Sequence, residues 1–303
     1  MTAYADLFRE HAKHVWGLCY RMTGSASDAD DLVQETFARA MAHPPARTDE
    51  PWRPWLVRVA VNLARDQLRR RKRAPYTGPW LPSPIETDDA AAPDEDVERR
   101  YGMLESVSFA FLIAVEALTP RQRAVLLLRD VLEYSVQETA TALDLSEANV
   151  KTTHHRARAA MEAYDAARSV PTRDLQEKTR EALQRFAASL ATGDAAAVEA
   201  MLAASARTLN DGGGEFRAAL KPVVGADKVA RFHLGLMKKF YGGGGQRFAF
   251  RMLNGLPAIV VDVETARERL APRSVIRCDL DGSGLIRDVH TVLATQKLVA
   301  VRA

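Results

Sequence analysis

Between Ser146 and Met161 the chain reads SEANVKTTHHRARAAM, a run whose cations gather on one side when it is wound as a helix. Val150, Ala157 and Met161 recur at helical spacing and can face a core, leaving Lys151, Thr152, His155, Arg156 and Arg158 to project from the opposite side. Such side chains can hydrogen-bond base edges and neutralise phosphates, so this helix can lie in a DNA major groove. A solvated basic face on an ordinary packing helix is the other reading of the same residues. A second cationic ridge lies upstream. There Val57, Val61, Ala64 and Leu68 form an apolar face, while Arg58, Asn62, Arg65, Arg69 and Lys72 occupy another. A third patch is acidic: Ser27-Asp-Ala-Asp-Asp31 opens a helix whose carboxylates suit the positive end of its dipole and leave a negative face.

The elements that must hold these residues are legible from caps and periodicity. Tyr4, Phe8, Val15, Leu18 and Met22 repeat at helical steps, as do Leu32, Val33, Thr36, Phe37 and Ala40 after a Thr-Gly-Ser break. A helix is expected from about Asp96 to Leu118, and Thr119-Pro-Arg-Gln122 starts another with a capping box and a proline in its first turn. Ser135-Val-Gln-Glu138 is a second capping box, and Asp144-Leu-Ser146 a turn before the basic helix. Helix, tight turn and basic helix together make a helix-turn-helix.

Charge is uneven along the chain. Trp52 to Arg73 carries eight Lys or Arg against one acid, whereas Ser83 to Glu98 carries seven acids and no base. The Pro- and Ala-rich stretch that includes these acids, APYTGPWLPSPIETDDAAAPDEDV, is expected to be extended and mobile rather than packed. Beyond Ser169-Val-Pro-Thr172 the pattern changes to α+β. Helical repeats at Leu175, Leu183, Phe186 and Leu190, at Val198, Met201 and Leu202, and at Val229, Phe232, Leu236 and Phe240 alternate with strands. The strands are 247–253, 257–263, 274–280 and 285–293, with Asn254-Gly255 and Asp281-Gly282 as turns. The expected domains are therefore all-α 1–74, an acidic linker 75–97, all-α 98–168 and α+β 172–303.

Composition excludes several classes. With 303 residues, 47% hydrophobic, 27% charged and a net charge of +3, the chain can build two or three ordinary cores. No apolar run approaches the roughly 18 residues of a membrane span, and MTAYADLFREHAKHVW lacks the apolar stretch of a signal peptide, so a cytoplasmic protein without membrane association is expected. Cys19 and Cys278 stand apart with no second ligand at metal-binding spacing; they read as buried small hydrophobes, and neither a metal nor a cofactor is expected.

Taken in order, Arg21-Met-Thr-Gly24, Asp28-Ala-Asp-Asp-Leu-Val-Gln-Glu-Thr-Phe-Ala-Arg-Ala40 and Trp55-Leu-Val-Arg-Val-Ala-Val-Asn-Leu-Ala-Arg-Asp66 resemble domain 2 of the extracytoplasmic-function sigma factors. Leu118-Thr-Pro-Arg-Gln-Arg-Ala-Val-Leu-Leu-Leu128 and the following helix-turn-helix resemble domain 4, so the likeness covers residues 4–165. It implies a promoter-specificity subunit of bacterial core RNA polymerase. Asp28, Asp31, Gln34 and Glu35 would then contact core polymerase, and Arg58, Asn62, Arg65 and Arg69, with the loop 46–51, would hold the melted minus-10 strand. Trp52 and Trp55 could stack on unpaired bases, with a core position as the alternative for Trp55. Lys151, Thr152, His155, Arg156 and Arg158 would read the minus-35 duplex, while the acidic linker would mimic RNA in the polymerase's RNA path.

The C-terminal 140 or so residues exceed the family's usual length and resemble a SnoaL-like, nuclear-transport-factor-2-like cone. Asp211-Gly-Gly-Gly214, Asn254-Gly-Leu-Pro-Ala258 and Trp80-Leu-Pro-Ser-Pro84 resemble motifs of the SigJ-type group that carries this extension. The resemblance implies regulation by the cone in place of a separate anti-sigma factor. The glycine motif ends in Glu215 rather than a base. Trp80, Leu81 and Pro82 form an apolar patch in a polar linker, which the cone could clamp around Asp211, Gly212, Gly213 and Gly214. Related cones include isomerases, making Asp262, Asp279, Asp288, His233 and His290 acid-base candidates by type, though no spacing selects a pair. A pocket for a small-molecule ligand is the remaining alternative for the cone, and a metabolite-gated DNA-binding regulator that never joins polymerase is the alternative for the whole chain. Gly242–Gly245 reads as a turn rather than a phosphate loop, because no Lys-Ser/Thr follows it.

Overall fold

The computed structural model describes residues 2–44, 51–87, 100–241, 245–264 and 270–302. They form two compact units, Met1–Pro75 with Glu95–Arg168 and Tyr76–Asp94 with Ser169–Ala303. The architecture is a helical part followed by an α+β domain, as the sequence led us to expect.

The first unit is built from helices. α1 (Thr2–Thr23), α2 (Ala26–Ala42) and α3 (Trp52–Arg73) pack around Leu18, Val33, Phe37, Leu56 and Val61. Ser25 caps α2 by accepting from the Asp28 amide at 3.2 Å. The single helix expected from Asp96 to Leu118 is corrected over the described residues, which contain a 3-10 turn at Glu105–Val107, α4 (Phe109–Ala114) and another 3-10 turn at Val115–Ala117. The break is local chemistry. Ser108 leaves the helical region to cap α4 by accepting from Phe111 N, and Glu105 turns inward to accept from Tyr164 at 2.7 Å and Arg168 at 2.5 Å. Next come α5 (Pro120–Leu126), a π-turn at Leu127–Val131, α6 (Val136–Leu143), α7 (Glu147–Ala160) and α8 (Glu162–Ala166). Both expected capping boxes are formed, at Thr119/Gln122 and Ser135/Glu138.

The second unit holds α9 (Arg173–Thr192), α10 (Ala195–Ala200), β1 (Leu202–Asp211), β2 (Val223–Val224), α11 (Ala226–Leu236), β3 (Gln246–Leu253), β4 (Leu256–Val263), β5 (Arg273–Leu280) and β6 (Ile286–Val292). The sheet order is β2-β1-β6-β5-β4-β3, with β1 and β6 parallel and the other pairs antiparallel. One face packs on the helices through Leu183, Phe186, Val198, Val229, Ile259, Cys278 and Val289. Asn254 and Gly255 both adopt positive φ, 54° and 82°, and close the β3–β4 hairpin at the pair Leu253 and Leu256.

The linker expectation is corrected in its described half. Residues 81–85 are buried, and the bridge between Glu86 and Leu253 joins this stretch to the end of β3. Prolines restrict the free chain, so ordering the segment costs less entropy, and its backbone polar groups find partners on the α+β domain. The acidic stretch 88–98, most of the loop 46–51 and most of Gly242–Gly245 lie outside the described residues.

Candidate nucleic-acid interface

The helix-turn-helix turns at Asp144, whose φ of 54° lets α6 stop and α7 begin three residues later behind the Ser146 cap. Val150, Ala157 and Met161 are buried, which leaves Lys151, Thr152, His155 and Arg156 exposed. The Thr152 hydroxyl donates to the Ala148 carbonyl at 3.0 Å. Arg158 is exposed as well, and it is also anchored. Its guanidinium donates through Nη2 at 2.6 Å and Nε at 3.1 Å to Asp130, which also lies 2.9 Å from His154 Nε2. Burial raises the Asp130 carboxyl, yet His154 and Arg158 together outweigh it and hold the group below its ordinary range.

On α3, Arg58 is exposed and Asn62 half-buried. Arg65 is only 9% exposed and donates to Asn62 Oδ1 at 3.1 Å, so it does not stand on an open ridge. α3 packs against α5 and α6, and burial, then the neighbouring Arg69 and Arg121, lower the Arg65 guanidinium. Arg69 is exposed and pairs with Asp66 at 3.0 Å. The Trp52 and Trp55 rings meet edge-on at 6.1 Å, both half-buried. Trp55, Arg53 and Arg58 line one wall of a cleft of about 640 Å³ whose other wall carries Tyr134, Gln137 and Glu138.

The acidic face of α2 is partly engaged within the unit. Asp28 accepts from Gln67 at 3.1 Å and Glu35 pairs with Arg39 at 2.8 Å, while Asp31 and Gln34 are exposed. At the C-terminal end of α1, the Met22 carbonyl accepts from Arg123 at 2.7 Å and the Thr23 carbonyl from Arg71 at 2.6 Å. Both arginines also hold Glu116. Arg21 reaches Ser106 Oγ at 2.7 Å and the Met103 carbonyl at 2.9 Å, so buried cations tie the region 1–74 to the region 100–123.

In the second unit a clasp surrounds the linker. Asp211 is 0% exposed, and its carboxylate accepts from Tyr76 Oη at 2.6 Å, Leu81 N at 2.7 Å, Gly213 N at 3.1 Å and Lys297 Nζ at 2.5 Å. Lys297 also donates to the Leu81 carbonyl and lies 4.3 Å from the Trp80 ring centroid. Pro82 is buried beside Leu81. A Cβ on Gly212 would stand 2.7 Å from the Phe216 carbonyl oxygen, and Gly213 has a φ of 58°, so this turn requires glycine at both positions. Further along, Asn254 Oδ1 accepts from Ile85 N and Asn254 N donates to the Ile85 carbonyl, both at 3.0 Å. Sequence reasoning missed Tyr76 and Lys297. The base absent after the glycines is supplied from the 3-10 turn Thr295–Lys297, which Glu215 holds by accepting from Thr295 N at 3.0 Å and Thr295 Oγ1 at 2.6 Å. A lysine next to the end of a strand pattern was the only signal available.

The acid-base candidates of the α+β domain sit in pairs. His233 is buried 3.2 Å from Thr208 Oγ1 and edge-on to Phe186, and burial pushes its imidazole down to about 4. Asp262 pairs with Arg273 at 2.6 Å, Asp279 with Arg277 at 2.7 Å, and Asp288 with Arg207 at 2.7 Å and Arg287 at 2.9 Å. His290 Nδ1 lies 3.5 Å from Asp279. Cys19 and Cys278 are buried, and burial pushes both thiols up to about 12. Among the described residues there is no group of three His, Cys, Asp or Glu that could hold a metal, and no helix is long and apolar enough to cross a membrane.

Family models match in two places: sigma-70 region 2 at residues 7–74 and sigma-70, region 4 at residues 109–161. The chain is 35% identical over 240 residues to the ECF RNA polymerase sigma factor SigJ of Mycobacterium tuberculosis, spanning 78% of this chain and 74% of that one. The chain belongs to the extracytoplasmic-function (ECF) sigma factors. It is an alternative sigma factor, which directs transcription initiation by RNA polymerase at promoter DNA. SigG of the same organism is 42% identical over 165 residues, 48% of this chain and 44% of its own. The crystal structure of M. tuberculosis SigJ aligns over 97% of both chains with a TM-score of 0.72 and 26% identity, so the likeness includes the C-terminal SnoaL-like domain. The sigma factor RpoE in complex with the anti-sigma factor NepR from Bartonella quintana aligns over 56% of this chain and 100% of that one, with a TM-score of 0.42 and 17% identity.

Proposed function

We propose that this sigma factor, acting in the cytoplasm, reads the minus-35 duplex with Lys151, Thr152, His155 and Arg156 and holds the melted minus-10 strand with Arg58, Asn62 and the exposed Arg69. In this reading the face of α2 that carries Asp28, Asp31, Gln34 and Glu35 docks on core polymerase, and the SnoaL-like domain sets activity by gripping the linker through Asp211. The observation that carries the regulatory part is the buried Asp211 carboxylate, whose partners include the Leu81 amide and Lys297. A carboxylate without exposed surface needs such partners, so the linker and the domain are energetically coupled. The domain acts on its own chain as a peptide-gripping module rather than by turnover, since the candidate acids and histidines are engaged in structural pairs.

The test is core-polymerase binding by the full chain and by Asp31→Arg/Glu35→Arg. Charge reversal on α2 is expected to weaken binding at least ten-fold while Lys151→Ala leaves it unchanged and lowers promoter-specific transcription. Absence of core binding by the unaltered chain would move the reading to a DNA-binding regulator that never joins polymerase.

A further inference from the structure

Behind the exposed face of α7 sits a carboxylate that the recognition of DNA has not yet used. Asp130, in the π-turn Leu127–Val131, is 3% exposed. It accepts from Arg158 through two nitrogens and lies within hydrogen-bond distance of His154, one helical turn earlier on α7. At about 100° per residue, the buried Val150, Ala157 and Met161 share one narrow arc that His154 and then Arg158 border on a single side, with Lys151 and His155 next around the helix. The two anchored side chains therefore mark the seam between core and exposed arc. A seam fixed by a bidentate guanidinium and an imidazole leaves α7 little freedom to roll, because rolling would strip a buried carboxylate of its partners.

We propose that Asp130 is a positioning residue for promoter recognition: by holding His154 and Arg158 it sets the rotation of α7 that presents Lys151, Thr152, His155 and Arg156 to the duplex, and it keeps Arg158 off the phosphates. The proposal rests on the reading of α7 as the minus-35 helix. It replaces the assignment of Arg158 to direct DNA contact, since Asp130 holds the Nε–Nη2 edge of the guanidinium and offsets its charge, although the side chain is 43% exposed.

The experiment measures promoter binding by holoenzyme, made from the full chain and core polymerase, across a salt series. The probes are a promoter fragment that the unaltered holoenzyme transcribes and the same fragment with its upstream element scrambled. Arg156→Ala should make the slope of log K against log salt shallower by about 0.9, the loss of one phosphate contact. Arg158→Ala should leave that slope unchanged but reduce discrimination between the two fragments, and Asp130→Asn should reduce discrimination about ten-fold with core binding intact. Asp130→Glu, which keeps the charge, should recover part of that loss and guards against a variant that merely folds poorly. A slope change in Arg158→Ala equal to that in Arg156→Ala would overturn the proposal, as would full discrimination by Asp130→Asn. Unchanged slope and discrimination in Lys151→Ala and Arg156→Ala would overturn the recognition-helix reading itself, and the proposal with it.

Discussion

A buried charge persists in a fold only when neighbouring groups replace the water it has lost, and single residues in this sigma factor carry much of the organisation for that reason. Asp211 gathers the linker because a tyrosine hydroxyl, two backbone amides and an ammonium converge on it. His233 illustrates the opposite solution, a titratable ring kept neutral. Its imidazole is pushed down to about 4 by burial, whereas in the unfolded chain it returns to 6.5. The unfolded state therefore binds an extra proton between those values. The stability that this residue contributes is complete above pH 6.5 and is lost as pH falls toward 4, on the order of 3 kcal/mol over the window. His14 and His290 are shifted in the same direction, each first by burial, so the informative quantity is a difference. Denaturant unfolding of the full chain and of His233→Gln between pH 7 and 4.5 is expected to show a weaker pH dependence in the variant; identical dependence would contradict the account.

Among elements, legibility followed how local the deciding interaction is. The capping boxes of α5 and α6, the turn Asp144-Leu-Ser146 before α7 and the Asn254-Gly255 hairpin depend on residues within four positions of one another, and each formed where the sequence put it. β1 was missed. Its sequence, LAASARTLND, lacks strict alternation, and it becomes a strand by pairing with β6, some 80 residues later. Arg65 was misread for a similar reason: helical spacing put it on the cationic ridge, but the long-range packing of α5 and α6 on α3 buries it. Lys297 is likewise brought to Asp211 only by tertiary structure. The difference between the two ridge arginines is measurable. Arg58→Ala should weaken binding of a single-stranded minus-10 oligonucleotide by holoenzyme about three- to ten-fold and make its salt slope shallower by about 0.7. Arg65→Met should stay within two-fold of the unaltered protein, because Arg65 is already withdrawn from solvent; the reverse order would contradict the assignment.

At the scale of the molecule, the division into units differs from a simple chain of beads. The described part of the linker belongs with the SnoaL-like domain, while the two helical sigma regions share one unit stitched by Arg21, Arg71, Arg123 and Glu116. Short-range sequence signals marked the helices and strands and the composition of the Pro-rich segment pointed to mobility, while its apolar Trp80-Leu-Pro82 patch suggested a clamp around Asp211; the contacts of this segment with Asn254 and Lys297, 169 and 216 residues away, left no local signal. The account's central claim is that a sigma factor's activity is set by this grip on its own linker. Its most direct test is run-off transcription with core polymerase from a promoter that the protein recognises, comparing the full chain with Asp211→Asn, with hydrogen exchange at residues 78–86 followed on the same samples. Faster exchange in the variant together with at least a three-fold change in transcript yield is the predicted result. Faster exchange with an unchanged yield would contradict the claim.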